Sequence, residues 1–198
     1  MPTYVAFLRA INLGAKRVFP KGDIKRVVED AGFTDVETHI NTGNVRLSTP
    51  MRSRAKIEAA LEKAFAADRG FEVPTMVFTT VELAAIAREA RELSEARPGL
   101  ARHYVYLMKD EIPDETLVRI ASLASVPTAP PLAAGASSGA SGRVGPAGEI
   151  VVRGRAAHAL LGPGYQTGSV DPLNAAKLLG VATNRNLNVI TAIAEKWC

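Results

Sequence analysis

The chain has a single cysteine, Cys198, so no disulfide can form within it, and its thiol content does not point to an oxidising compartment. No apolar run approaches the roughly 18 residues that cross a bilayer. The opening run, from Met1 to Leu8, is broken by Arg9 before it reaches the length of a secretory core. A soluble cytoplasmic protein with no membrane contact is therefore expected. The histidines, His39, His103 and His158, have no partner at metal-ligand spacing. Each is read as a strand residue with a satisfied ring, and no metal or cofactor is expected. Tyr4 and Phe7 lie three apart in one strand and so point to opposite faces, which gives no paired aromatic platform for nucleic-acid bases.

What is present suffices for a packed core. Of 198 residues 47% are hydrophobic and 22% charged, which allows one large domain or two small ones and excludes disorder throughout. The net charge is +4, and it is unevenly placed. Residues 1–50 carry seven Lys/Arg against five Asp/Glu, residues 51–150 carry twelve against thirteen, and residues 151–198 carry five against two. The positive excess sits at the two ends, where it permits a phosphate-bearing partner without demanding one.

Periodicity gives the order of elements. An apolar strand at 3–9 precedes a helix from Pro20 to Ala31, with Ile24, Val27, Val28 and Ala31 on one face and Gly32 as its stop. Val36, Thr38 and Ile40 alternate, Asn41-Thr42-Gly43-Asn44 turns, and Val45 and Leu47 resume the alternation as a hairpin whose Asn and Gly tolerate positive φ. A helix from Arg52 to Asp68 and a strand from Val73 to Thr79 complete a ferredoxin-like βαββαβ half. A further helix from Val81 to Leu93 leads to a hinge around Pro98-Gly99, which sets halves at 1–94 and 103–198. The second half reads as a worn repeat of the first: strand 103–109, helix 113–124, strands 149–153 and 157–161, a helix capped by Asp171 and running to Leu179, and a last helix with Leu187, Ile190, Ile193 and Trp197 inward. The fold class is α+β. Residues 125–148, almost wholly Pro, Ala, Gly and Ser, are expected to form a flexible loop.

Three polar segments stand out: Arg9-Ala-Ile-Asn12-Leu-Gly14-Ala-Lys16 after the first strand, Ile40-Asn41-Thr42-Gly43-Asn44-Val45 at the hairpin, and Thr183-Asn184-Arg185-Asn186-Leu187-Asn188 near the end. In this order they resemble the bacterial domain-of-unknown-function 1697 family over essentially the whole chain. The resemblance implies a ferredoxin-like first half and assigns no reaction, cofactor or partner. The chain departs from the family's usual wording at Ala10 and Ala15, where glycine is expected, at Leu187, where tryptophan is expected, and at Val189, where threonine is expected.

The connection from Ala10 to Phe19 is longer than the 2 to 6 residues usual between strand and helix. With Asn12, Gly14, Lys16 and Arg17 before a helix start, it has the ingredients of an anion cradle. A solvated loop edge accounts for the same residues. The Asn41–Asn44 turn is explained by its hairpin, and Thr183–Asn188 by an N-cap and first helical turn. Three asparagines and an arginine exceed what capping needs, and planar Asn and Arg groups suit carboxylate, phosphate or a base edge. Candidate ligand contacts are therefore Arg9, Asn12, Gly14, Lys16, Asn41, Asn44, Thr183, Arg185 and Asn186.

Other signals fail. Gly135-Ala-Ser137-Ser-Gly139 fits a nucleophile-elbow string without the strand and helix that such a turn needs. The glycines of 139–148 lack a Gly-Lys-Ser/Thr ending, which rejects a P-loop. Asp110, Glu111, Asp114 and Glu115 flank Pro113 and are read as helix-start charges. The leading reading is a protein that binds a phosphate-containing small molecule or nucleotide. An acylphosphatase-like hydrolase, with Arg9 on the phosphate and Asn41 on water, is the alternative by position in the fold. A nucleic-acid-binding domain ranks last.

Overall fold

The computed structural model describes residues 1–124, 148–165 and 176–198. The first half contains β1 (Thr3–Leu8), α1 (Lys21–Asp30), β2 (Thr34–His39), β3 (Asn44–Ser48), α2 (Arg54–Arg69) and β4 (Thr75–Thr79), and α3 (Thr80–Glu95) follows directly. The second half contains β5 (Arg102–Met108), α4 (Asp114–Ala124), β6 (Gly148–Arg153), β7 (Ala156–Leu161), β8 (Ala182–Asn186) and α5 (Leu187–Trp197). Each half forms a four-stranded antiparallel sheet, ordered β2-β3-β1-β4 and β6-β7-β5-β8. No helix among the described residues is long and apolar enough to cross a membrane.

β1 is buried from Tyr4 to Leu8 and apolar from Val5 on because both of its faces are covered. Tyr4, Ala6 and Leu8 meet α1 and α2, which supply Ile24, Val27 and Val28 and the stripe Ile57, Leu61, Phe65. Val5 and Phe7 point the other way, into a core shared by both halves. That core takes Met76 and Phe78 from β4, Val105 and Leu107 from β5, Leu83, Ile86 and Ala90 from α3, and Ile190, Ile193 and Trp197 from α5. The two helices that follow the fourth strand of each half thus pack against one another between the sheets. Trp197 is buried, and its indole N–H donates to Glu37 Oε2 at 3.0 Å.

The repetition extends to single hydrogen bonds. Tyr4 pairs with Thr79, the N-cap of α3, and Tyr104 pairs with Asn186, the N-cap of α5. Leu8 N–H donates to Gly43 O in one half, as Met108 N–H does to Arg155 O in the other. Arg9 N–H and Lys109 N–H likewise reach Pro74 O and Val181 O.

β4 lies at the edge of its sheet, yet its outward amides are not open. Val77 N–H donates to Glu58 Oε1 and Thr75 N–H to Glu62 Oε1, both at 2.9 Å, from carboxylates one turn apart on α2. Burial raises the Glu58 carboxyl above its ordinary pKa, while the Val77 amide and nearby cations oppose that rise. An edge whose donors are capped by side chains cannot template another strand there.

Several expectations change. Thr183 is not a helix cap: residues 182–186 form β8, and Asn186 is the cap, its Oδ1 accepting from Val189 N–H at 2.9 Å. At the hairpin, the left-handed residues are Ile40 and Gly43, at φ 49° and 78°, rather than the asparagines. Gly148, taken as loop, opens β6. The rest of the 125–148 loop, the Gly135–Gly139 string and the Asp171 cap lie outside the described residues, and residues 176–179 form a turn.

His103 and His158 are not fully satisfied. They meet on the inner face of the second sheet, Nε2 to Nδ1 at 3.1 Å, and His103 Nδ1 and His158 Nε2 have no hydrogen bond among the described residues. The nearest carboxylate oxygen to His158 Nε2 is Glu89 Oε2, at 3.6 Å. Burial pushes both rings down to about 4, aided by Arg97 at His103 and by His103 and Arg153 at His158. Unfolded, each ring takes up its proton near the ordinary value of 6.5. Between pH 6.5 and about 4 the unfolded chain therefore binds more protons, and stability falls as pH is lowered through that window. Urea midpoints measured from pH 7 to 4.5 should fall, and the fall should be shallower in His158→Leu. An equal slope in the variant would show that the pair does not set this dependence.

Candidate functional site

A cleft of about 650 Å³ opens where the end of β1, the β2–β3 hairpin and β8 meet. Its lining includes Arg9, Asn12, Asn41, Thr183, Arg185 and Asn186, so side chains from all three polar segments come together. Gly14 and Lys16 lie on the exposed 10–19 loop outside the lining, and Asn44 is buried behind it. Tyr104, Tyr106 and Asn184 also line the cleft. Among the described lining residues there are two arginines and no carboxylate.

Arg185 is the floor. β8 pairs with β5 so that Arg185 lies opposite Val105 and points inward. The residue is only 7% exposed, and its side chain reaches the first half. Nε donates to Asn44 Oδ1 at 2.6 Å, and Nη1 to Thr183 Oγ1 at 2.9 Å and Asn184 O at 2.7 Å. Nη2 donates to Thr42 O at 2.6 Å, Leu8 O at 3.2 Å and Gly43 O at 3.3 Å. All five N–H groups of the guanidinium are engaged, so Arg185 has none to give a ligand directly. It contributes instead a positive charge beneath the cleft that no carboxylate among the described residues neutralises. Burial lowers its pKa to about 10, which leaves it charged at neutral pH.

Asn44 serves the same anchor. Its Nδ2 donates to His39 O and Thr42 Oγ1 at 2.9 and 3.0 Å, fixing the oxygen that Arg185 uses. Gly43 must be glycine: a Cβ there would lie 2.7 Å from Leu8 Cβ and 2.8 Å from Ile11 Cδ1. Asn12, at φ 54°, ties the long loop by accepting Phe19 N–H at 2.8 Å and donating to Asn41 O at 2.6 Å. Arg17 is consumed too, donating to Ala10 O and Glu72 O and lying over the Phe71 ring. The groups left to meet a ligand are the exposed Arg9 side chain and the amides of Asn41 and Asn184. None of these side chains makes a hydrogen bond or ion pair within the described residues.

Ala10 has φ 58°, which explains the resemblance's preference for glycine at that position. Ala10, Asn12 and Ile40 put three left-handed non-glycine residues beside one cleft, the kind of clustering that accompanies binding sites. The repeat supplies a counterpart junction in the first half, a hollow of about 270 Å³ lined by Tyr4, Arg52, Arg54, Val77, Thr79 and Glu82. There, Arg155 Nη1 donates to Val77 O, and Arg54 and Arg155 stand within 4.0 Å of Glu58, Asp110 or Glu82. Charge is matched at this junction and not at the cleft. Among the described residues no group of three His, Cys, Asp or Glu is placed to hold a metal ion.

The two tyrosines and Asn184 were within reach of the sequence. Tyr104 and Tyr106 share a strand face by alternation, but only the β5–β8 pairing shows that this face borders the cleft.

The model of a family described as "Protein of unknown function (DUF1697)" matches residues 1–129. A solved structure of a conserved bacterial protein, SP0830 from Streptococcus pneumoniae, superposes with a TM-score of 0.67 at 16% identity, covering 99% of this chain and 98% of that one. That likeness concerns the fold. No curated protein sequence matches.

Two substitutions probe the site's construction. Arg185→Ala leaves buried carbonyls without donors and should cost about 3 to 5 kcal/mol by urea denaturation, with partial rescue in Arg185→Lys. Ala10→Gly removes left-handed strain worth about 1 to 2 kcal/mol against a smaller entropy cost, so stability should rise by up to about 1 kcal/mol. A loss of stability in Ala10→Gly would contradict the strained geometry.

Proposed function

Since the chain belongs to the DUF1697 family of proteins of unknown function, a membership that assigns no reaction, we propose from the cleft itself that it binds a phosphate-containing small molecule. The observation that carries this reading is a cleft lined by two arginines and no carboxylate among the described residues, one arginine buried and fully hydrogen-bonded, the other exposed. The buried charge of Arg185 favours an anion above it without being able to clamp it, because attraction between charges is stronger where water is partly excluded. Arg9 follows β1 directly and supplies an exposed guanidinium able to donate two hydrogen bonds to a phosphate. Asn41 adds an amide on the opposite wall. Asn12, Thr183 and Asn186 hold the walls in place.

A second reading uses the same residues. We read the βαββαβ first half as ferredoxin-like, and in that plan an acylphosphatase-style hydrolysis would set Arg9 on the phosphate and Asn41 on the attacking water. What favours it is that both residues line one cleft.

A thermal-shift series with sugar phosphates, nucleotides and acetyl phosphate at two salt concentrations tests both readings. A ligand at 100 times its dissociation constant adds about 2.7 kcal/mol to stability. Arg9→Ala should keep the unliganded melting temperature and weaken binding about tenfold or more. Phosphate release from acetyl phosphate that collapses in Arg9→Ala and Asn41→Ala supports hydrolysis. Absence of any shift with every phosphate compound would overturn the binding reading.

A further inference from the structure

The geometry points to a nucleoside monophosphate as the ligand class, with the phosphate at Arg9 and a planar heterocyclic base on the tyrosine face of the second sheet. This rests on the phosphate-binding reading above and adds the other end of the molecule. In the β5–β8 pairing Tyr106 lies opposite Asn184 and Tyr104 opposite Asn186, so all four side chains emerge on one face of the sheet. Directly opposed cross-strand residues have Cβ atoms about 4.5 to 5.5 Å apart. All four also line the cleft that holds Arg9.

The asparagines differ in what they have left to offer. Asn186 Oδ1 is committed to capping α5. Asn184 is exposed, and neither half of its amide is hydrogen-bonded among the described residues. A carboxamide with donor and acceptor side by side complements the edge of a purine or pyrimidine, which presents the same alternation. A saturated sugar phosphate has no such edge.

Tyr104 is half-buried and meets Tyr165 edge to face, ring centroids 6.4 Å apart. The neighbouring Tyr165 and partial burial raise the Tyr104 pKa above its ordinary value. The ring is therefore held in a fixed attitude against the cleft, a state in which an aromatic side chain stacks on a base with little loss of freedom. The cleft volume of about 650 Å³ lies within the roughly 300 to 1,000 Å³ common to small-molecule sites.

Calorimetric titration of the full chain with AMP, GMP, CMP, UMP and ribose 5-phosphate tests the assignment. At least one nucleotide should bind about tenfold or more tightly than ribose 5-phosphate. That advantage should vanish in Asn184→Ala, an exposed position whose replacement leaves the fold intact, and shrink in Tyr104→Leu. Ribose 5-phosphate affinity should be reduced in Arg9→Ala. Equal affinity for nucleotides and ribose 5-phosphate overturns the base site while leaving the phosphate reading standing. A nucleotide preference indifferent to both Asn184→Ala and Tyr104→Leu also overturns it, by placing the base elsewhere. Failure of every phosphate compound to bind removes the phosphate reading and this one together.

Discussion

A buried guanidinium with no carboxylate beside it among the described residues organises this protein. Arg185 leaves the second half, crosses to the first, and gathers the carbonyls of Leu8, Thr42 and Gly43 with the amide oxygen of Asn44. Those acceptors belong to the end of β1 and to the hairpin, so one side chain fixes the relation between the two loops that wall the cleft. Taking an arginine out of water is costly, and hydrogen bonds to a charged group recover about 1.5 to 3 kcal/mol each. The balance is better understood as positioning than as net stability. The charge is satisfied in its hydrogen bonds and remains unneutralised as a charge.

Arg155 makes the matching crossing. It donates to Met108 O and Val77 O and lies over the Phe78 ring, 4.1 Å from the centroid, while Arg185 lies 5.7 Å from that of Phe7. Phe7 and Phe78 themselves meet edge to face at 6.0 Å. The boundary between the halves is thus an aromatic pair of the first half flanked by two arginines of the second, in a core otherwise closed by α3 and α5. Unlike Arg185, Arg155 has carboxylates nearby, with Glu58 Oε1 3.7 Å away.

The helices and most strands were readable because their buried faces are apolar at the right period, as with Ile57, Leu61 and Phe65 in α2 or Val45 and Leu47 in β3. β8 was not. Its inward residues, Thr183 and Arg185, reach carbonyls at the end of β1 and, for Arg185, in the hairpin, so its alternation is invisible to any hydrophobic reading. Its terminal Asn186 then caps a helix, which made the whole segment look like a cap. The same blindness applies to roles. Asn44 and Arg185 stood out as polar residues suited to a ligand, and both turn out to be committed to holding the walls. Convergence of the three segments depends on contacts between residues far apart in the chain, 141 positions in the case of the Arg185–Asn44 hydrogen bond, which no local pattern encodes. The resemblance ordered the segments without placing them together.

The doubled plan also bears on stoichiometry. A repeat of this regularity, with Tyr4 opposite Thr79 as Tyr104 is opposite Asn186, would offer two equivalent junctions if both halves had kept the same side chains. They have not. In the junction beside β4, Glu58 and Glu62 of α2 seal the strand edge and Glu58 stands within 4.0 Å of Arg54 and Arg155, whereas the described lining of the junction beside β8 holds arginines and no carboxylate. The two halves thus form an asymmetric pair, one junction closed by matched charge and the other left as an opening. On the phosphate-binding reading, a doubled fold of this kind would take one ligand per chain rather than two.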